Sequence, residues 1–276
     1  MNVKIYLTLI LSLIFLSSCQ EQRPIEPPQD EWRIVTIAPS TASILVALGL
    51  KKNIVGVSEW CSVKELNNVT RVGSLSAPSL EKIVTVSPNI ILGQGAQKTL
   101  EQFCKNYRIY YRQFNTDSIQ SWEEEVITLG NIFNKKKEAT TIVENFNKNF
   151  PAKALGEGAP TCLIVASRRD HAISDLLVAG KKSFLSELLK RAGAKNIIQD
   201  NADYIYLQKE LLFELNPDFI IELHANEVAE KYIKKLWNKA FPELTSQIKI
   251  ISNSNILMPG ASIIESAKLL KQAIHG

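Results

Sequence analysis

With 276 residues, 45 % of them hydrophobic and 22 % charged, the chain has the make-up of a globular body with a sizeable core. Its 32 basic and 28 acidic residues leave a net charge of +4, too little for a nucleic-acid surface. No run of Lys or Arg is interleaved with aromatics, and Lys135-Lys136-Lys137 reads as a solvated helix face.

The first elements do not belong to the fold. Lys4 followed by the apolar run Ile5 to Leu16 is too short to span a bilayer and reads as a secretory signal over residues 1–18. Leu16-Ser17-Ser18-Cys19 resembles a bacterial lipobox, in which the Cys19 thiol carries lipid and holds the chain at the outer side of a membrane. Residues 19–32 contain Pro24, Pro27 and Pro28 and no apolar periodicity, the composition of a semi-rigid tether.

From Arg33 strand and helix signals alternate. Ile34 to Ile37 is a β-branched strand ending at Ala38-Pro39-Ser40-Thr41, where a hydroxyl can cap a helix running to Leu50. Ile54 to Val57 is the next strand, and Ser58 to Ser79 is rich in turn formers. Helix Leu80–Val86, strand Asn89–Leu92, helix Gln97–Asn106 and strand Ile109–Tyr111 complete a first lobe over residues 33–116. Short continuous apolar strands between helices argue a parallel sheet covered on both faces.

Residues 117–159 carry helical periodicity in one or two long helices, with Trp122, Val126, Leu129 and Phe133 on one stripe. Such a segment is a stiff connector, and Gly156 to Pro160 closes it. A second lobe, residues 160–276, repeats the scheme. Its strands are Leu163–Ala166, Phe219–Glu222 and Ile248–Ile251, and its helices Ser183–Ala192, Gln208–Leu215, Glu227–Ala240 and Ala261–Ile274. Beyond Cys19 there are three cysteines: Cys162 reads as a buried strand residue, and Cys61 and Cys104 are free to pair or not.

Two echoes link the lobes. Glu81 and Glu210 each open a helical turn that a proline stops seven residues later, Pro88 and Pro217, before an apolar strand. Ala47-Leu48-Gly49 and Ala192-Gly193-Ala194 form the second pair, in the same order in each lobe. The expected class is therefore α/β: two Rossmann-like lobes joined by a long rigid helix, with a ligand cleft between them. There is no nucleophile elbow, no His-Glu-x-x-His and no phosphate loop, and Gly93-Gln94-Gly95 is too little for a dinucleotide fingerprint. The chain reads as a binding protein, not an enzyme.

The ordered set Arg33-Ile-Val-Thr-Ile-Ala-Pro-Ser40, Ala47-Leu-Gly49, Val55-Gly-Val57, Arg71-Val-Gly73, Leu80-Glu-Lys-Ile83 and Ser87-Pro-Asn-Ile-Ile-Leu92 resembles the substrate-binding proteins of ABC importers for cobalamin and iron–siderophore complexes. The resemblance runs from Arg33 to the C-terminus and is thinner in the second lobe, where Ala179-Gly-Lys181 and the Glu210 helix carry it. It implies a monomer that hands its cargo to permease and ATPase subunits, with no nucleic-acid partner and no resident cofactor.

The resemblance also implies roles. Glu81 and Glu210 match the carboxylates that dock on arginines of the permease; taken singly, each is also a first-turn residue favoured by the helix dipole. Trp60 matches an aromatic that packs on a corrin ring, whereas Leu75 stands where a second aromatic is expected. Pro39, Ser40, Thr41 and Leu177 are expected along the cleft, with Tyr204 facing Trp60 from the second lobe and Tyr206 close by. The segment Asn253 to Ala261 departs from the family pattern.

The stretch Val55-Gly-Val-Ser-Glu-Trp-Cys61 favours cobalamin or a related corrinoid as cargo. Haem or a ferric siderophore is the alternative. Haem needs an axial ligand, for which His171, His224, Tyr204 and Tyr206 are the candidates; an anionic siderophore favours Arg168 and Arg169. A bare metal ion needs three or four convergent ligands, and the chain has three histidines, one of them the near-terminal His275.

Overall fold

The computed structural model describes residues 25–276 apart from Asp30, Asp170, Ser254 and Asn255. The expected signal segment, Cys19 and Pro24 lie outside the described residues. Among the described residues no helix is long and apolar enough to cross a membrane.

Lobe one is a parallel sheet of β1 (Ile34–Thr36), β2 (Ile54–Val57), β3 (Thr70–Arg71), β4 (Ile90–Gln94) and β5 (Tyr110–Phe114) in the order β3-β2-β1-β4-β5. Helices α1 (Pro39–Ala47), α2 (Leu80–Thr85) and α3 (Lys98–Tyr107) connect the strands. Ile34, Val35, Ile90, Ile91 and Leu92 are fully buried, as expected where helices cover both faces of a parallel sheet.

Lobe two contains β6 (Thr161–Ser167), β7 (Leu176–Ala179), β8 (Lys195–Asn196), β9 (Tyr204–Leu207), β10 (Phe219–His224) and β11 (Gln247–Ser252). The order is β11-β10-β6-β7-β9, with β8 also on β6. Its helices are α6 (Phe184–Ala192), α7 (Leu211–Leu215), α8 (Glu230–Ala240) and α9 (Ile263–His275). The antiparallel pairs β6–β7 and β7–β9 add a hairpin edge that the apolar runs did not announce.

The sequence echoes correspond to one construction made twice. Helices α2 and α7 are left through residues in the left-handed region, Ser87 (φ 45°) and Asn216 (φ 39°), each directly before the proline. Two residues further on, Asn89 Oδ1 accepts the Arg33 amide at 2.9 Å and Asp218 Oδ2 accepts the Thr161 amide at 2.7 Å. Each side chain clips the start of one parallel strand to the next, β4 to β1 and β10 to β6. The Thr161 amide and hydroxyl hold the Asp218 carboxyl below its ordinary pKa. Gly49 (φ 81°) and Gly193 (φ 106°), the other echo, end α1 and α6 in the conformation that glycine adopts without a Cβ clash.

The connector, expected as one or two long helices, is a hairpin of two antiparallel helices, α4 (Ile119–Ile132) and α5 (Lys136–Asn149). The chain reverses at Asn134 (φ 55°). Gly130 sits so close to Ala139 that a Cβ on it would lie 2.4 Å from the alanine methyl. Further along, the Trp122 and Phe146 rings meet edge to face at 5.3 Å, and Asn147 Nδ2 donates to Glu123 Oε1 at 2.7 Å. The apolar stripe of α4 enters a core shared by both lobes, with Trp122, Val126 and Leu129 among Ile34 and Leu92 of lobe one and Leu185 and Leu189 of lobe two. Glu187 Oε2 accepts the Ile119 amide at 2.7 Å, and Arg191 Nη1 bonds Asn147 Oδ1 and the Phe150 carbonyl, both at 2.8 Å. Lobe two is therefore packed against the connector, consistent with a stiff frame. Cys61, Cys104 and Cys162 are all buried and free; burial pushes the Cys104 and Cys162 thiols up to about 12.

Candidate functional site

In an open parallel sheet, ligands collect beyond the C-terminal ends of the strands, where the strand order reverses. In lobe one that point is the carboxyl end of β1 and its neighbours. In lobe two it lies between β6 and β10. Each place carries a depression.

In lobe one a groove of about 620 Å³ is lined by Trp60, Leu75, Pro78, Gln94 and Gln97, with the start of α3 as one wall. Trp60 is 71 % exposed, so it is not a core residue. It stands in a turn closed by the Cys61 amide on the Ser58 carbonyl at 3.0 Å. Gln97 Nε2 donates to the Leu75 carbonyl at 2.6 Å and ties the two sides of the groove together.

In lobe two a crevice of about 430 Å³ lies over the ends of β6 and β10. His171, His224 and Tyr232 line it, with Arg168 and Glu222 beneath and Leu257 on its rim. Glu222, 1 % exposed, is the hub. It accepts Arg168 Nε at 2.9 Å and Trp237 Nε1 at 2.6 Å, and His224 Nε2 lies 2.7 Å from it. His171 (φ 59°) is exposed, with Nδ1 3.3 Å from the Tyr232 hydroxyl. Thus each imidazole has one nitrogen held, Nδ1 of His171 and Nε2 of His224, while the other has no hydrogen-bond partner among the described residues.

The remaining expected residues are distributed as follows. Leu75 lines the lobe-one groove beside Trp60. Pro39 is half-buried at the first position of α1. Ser40 is buried, and Thr41, 1 % exposed, gives its hydroxyl to Glu125 Oε1 at 2.5 Å. Thr116 donates to the other oxygen of Glu125, whose carboxyl burial raises above its ordinary pKa. Thr41 therefore stitches α1 to Glu125 of the connector, with Thr116 holding the same carboxyl from the end of lobe one. Close by, the Ala261 amide of lobe two donates to Ser43 Oγ of α1 at 2.9 Å.

Leu177, Tyr204 and Tyr206 share one face of the antiparallel β7–β9 pair, because Leu177 pairs with Tyr206 and Ala179 with Tyr204. They do not line the His171 crevice. Burial, then the neighbouring Asp203, pushes the Tyr204 phenol upward, which disfavours a phenolate. Arg168 and Arg169 do not stand ready for an anionic ligand as expected. Arg168 is 6 % exposed and paired to Glu222, and Arg169 pairs with Asp175 at 2.7 Å. Tyr232 was missed, since one tyrosine on a helix carries no signal until the fold brings it to His171. Glu81, in the first turn of α2 behind the Ser79 cap, and Glu210, at the start of α7, are both exposed.

A family model for periplasmic binding proteins matches residues 34–237. The high-affinity heme uptake system protein IsdE of Staphylococcus aureus is 28 % identical over 272 residues, 93 % of this chain and 89 % of that protein. Among solved structures, the periplasmic heme binding protein HutB of Vibrio cholerae superposes with a TM-score of 0.77 at 20 % identity, over 90 % of this chain and 100 % of that one. The vitamin B12 binding protein BtuF of the same organism gives 0.68 at 16 % identity, over 88 % and 96 %. The two structural likenesses fix the two-lobed fold alone, whereas the family match covers most of the chain. The chain belongs to the periplasmic binding protein family, a family of binding proteins and not of enzymes.

Proposed function

We propose that the cargo is haem or a closely similar iron porphyrin, held between the Trp60 groove and the His171–His224 crevice. One observation carries this reading: two imidazoles, each with a free ring nitrogen, and a phenol converge on a single crevice. One or two such groups are the ligand complement of a metal whose equatorial positions a macrocycle already fills. The carboxylate behind His224 matches the outer partner that orients metal-ligating histidines and raises their basicity. The 28 % identical relative is named for heme uptake, which points the same way.

A corrinoid is the second reading, and Trp60 favours it: a flat, exposed indole suits any planar macrocycle. Titration of the protein with haemin, cyanocobalamin and cobinamide separates the two. Haem capture predicts a saturable shift of the Soret band that His171→Ala or His224→Ala alters. Corrinoid binding without haemin binding would overturn the haem reading.

Delivery would use Glu81 and Glu210, one exposed carboxylate per lobe, on basic groups of the permease. Replacing both by alanine is expected to abolish uptake and leave haemin affinity unaltered. From the sequence we infer lipid attachment at Cys19, with the prolines after it holding a monomeric body off the membrane.

A further inference from the structure

Each lobe presents one residue from the same clamped turn. In lobe one, Arg71 Nη1 donates to the Ser58 carbonyl at 3.1 Å and to the Cys61 carbonyl at 3.0 Å. In lobe two, Arg168 Nη1 donates to the Arg169 carbonyl at 2.9 Å and to the Ala172 carbonyl at 3.1 Å. The clamped carbonyls are three residues apart in both cases. Both turns are closed by the amide of the fourth residue on the carbonyl of the first, Cys61 on Ser58 and Ala172 on Arg169. In both, the third residue is the one at a depression: Trp60 and His171.

The two lobes differ in what they present. No His, Cys, Tyr or Met lines the Trp60 groove among the described residues. Among the described residues, those of these types that line either depression, His171, His224 and Tyr232, stand in lobe two. Arg168 is connected to both histidines there. It brackets the His171 turn directly, and its Nε shares Glu222 Oε1 with His224 Nε2.

We propose that Arg71 and Arg168 are the positioning residues of the ligand site, Arg71 fixing Trp60 as a stacking platform and Arg168 fixing the imidazole that reaches the metal. This rests on the haem reading above. It deepens that reading to a one-sided capture, in which the iron takes its protein ligand from lobe two and the porphyrin face toward lobe one meets indole. Both bonds of each clamp come from the one nitrogen Nη1, which stands further from the backbone than a lysine nitrogen reaches, so Arg→Lys withdraws the donor from the carbonyls while keeping the charge.

The test is haemin titration of the full-length protein and its Arg71→Lys, Arg168→Lys and Trp60→Ala variants, followed by absorption and tryptophan fluorescence. Arg168→Lys is expected to shift the Soret and charge-transfer bands and weaken binding about tenfold, which corresponds to about 1.4 kcal/mol. Arg71→Lys is expected to leave the bands in place and weaken binding by a smaller factor. Because it acts through the indole, Arg71→Lys added to Trp60→Ala should weaken binding no further than Trp60→Ala alone.

Wild-type bands and affinity in Arg168→Lys, or full additivity of Arg71→Lys with Trp60→Ala, would overturn the proposal while leaving haem capture intact. If the wild-type protein does not bind haemin, the haem reading fails, and hydrogen exchange in the free protein decides the clamps. Faster exchange confined to residues 59–61 in Arg71→Lys, and to 171–172 in Arg168→Lys, would uphold them. Unchanged exchange would remove them.

Discussion

The two lobes hold their presenting turns with the same hydrogen bonds but in different electrostatic settings. Arg168 is buried, and its charge is met by Glu222, which also gathers Trp237 and His224. Arg71 is only partly buried and forms no ion pair among the described residues; its recorded bonds go to the two carbonyls. Chemistry gives a reason for the difference. A stacking platform has to be roughly flat and roughly placed, because dispersion and burial vary slowly with position. A metal ligand has to be aimed, which calls for a second layer of locked side chains behind it. The buried network stands on the side that carries the imidazoles.

That contrast is broken most directly at Glu222. Glu222→Ala leaves a buried guanidinium and the Trp237 indole without their acceptor, and removing one member of a buried pair costs about 3–5 kcal/mol. Urea unfolding should show that loss, whereas Arg71→Ala should cost about 1 kcal/mol, the range of ordinary hydrogen bonds. Similar losses for the two variants would mean that the lobes are not held differently at all.

The next effect concerns binding. Trp60→Ala removes an exposed side chain that supports no core, so the melting temperature should stay within a degree or two while haemin affinity falls. An aromatic contact of this kind contributes about 0.5–1.5 kcal/mol beyond its buried area, so the affinity should drop about tenfold. A fall in stability matching the fall in affinity would instead make Trp60 part of the fold.

Trp60 was singled out through the family resemblance, and the structure leaves it exposed beside a groove. The lobes were legible through their doubled helix-stop signals, whose physical basis is local: a left-handed exit, a proline, and an Asn or Asp that clips the neighbouring strand. For the connector the choice between one and two helices stayed open because Phe133-Asn134-Lys135 lacks glycine and proline; the reversal is made by Asn134 in the left-handed region and by the packing of Gly130 on Ala139. Ser40 and Thr41 sit at a helix start, yet the Thr41 hydroxyl is held by Glu125, eighty-four residues further on. Tyr232, Glu222 and the two arginines were out of reach for the same reason. Their roles exist only where strands β3, β6 and β10 bring distant segments together.

The connector carries a pH-dependent group of its own, and it sharpens the comparison between the lobes and the frame that joins them. Burial raises the Glu125 carboxyl, so the folded state keeps its proton at a pH where the unfolded chain, near 4.3, has released it. The folded state then binds more protons than the unfolded one, and stability declines as pH rises from about 4.3 through the raised folded value. Glu125→Gln keeps an acceptor and a donor for Thr41 and Thr116 and has no proton to lose. Relative to wild type the variant should gain stability across that interval and level off above it. A difference that does not change with pH would show that the carboxyl titrates as it does in the unfolded chain.

The smallest expected effect has the opposite sign and belongs to lobe two. The Asp218 carboxyl is lowered by the Thr161 amide and hydroxyl, so its contribution is complete above about 3.9 and is lost as pH falls through the folded value. Asp218→Asn keeps an acceptor for the Thr161 amide but no charge, so its deficit against wild type should be present at neutral pH and vanish in acid. The side chain is exposed, and solvent screening keeps that deficit small. Asn89, its counterpart in lobe one, makes the Arg33 clip without a charge and also donates Nδ2 to the Glu31 carbonyl at 2.9 Å, so Asn89→Asp should destabilise lobe one at neutral pH and less in acid, where the carboxyl regains a proton to donate. If neither substitution moves the acid limb of the unfolding curve, the two clips work through geometry alone.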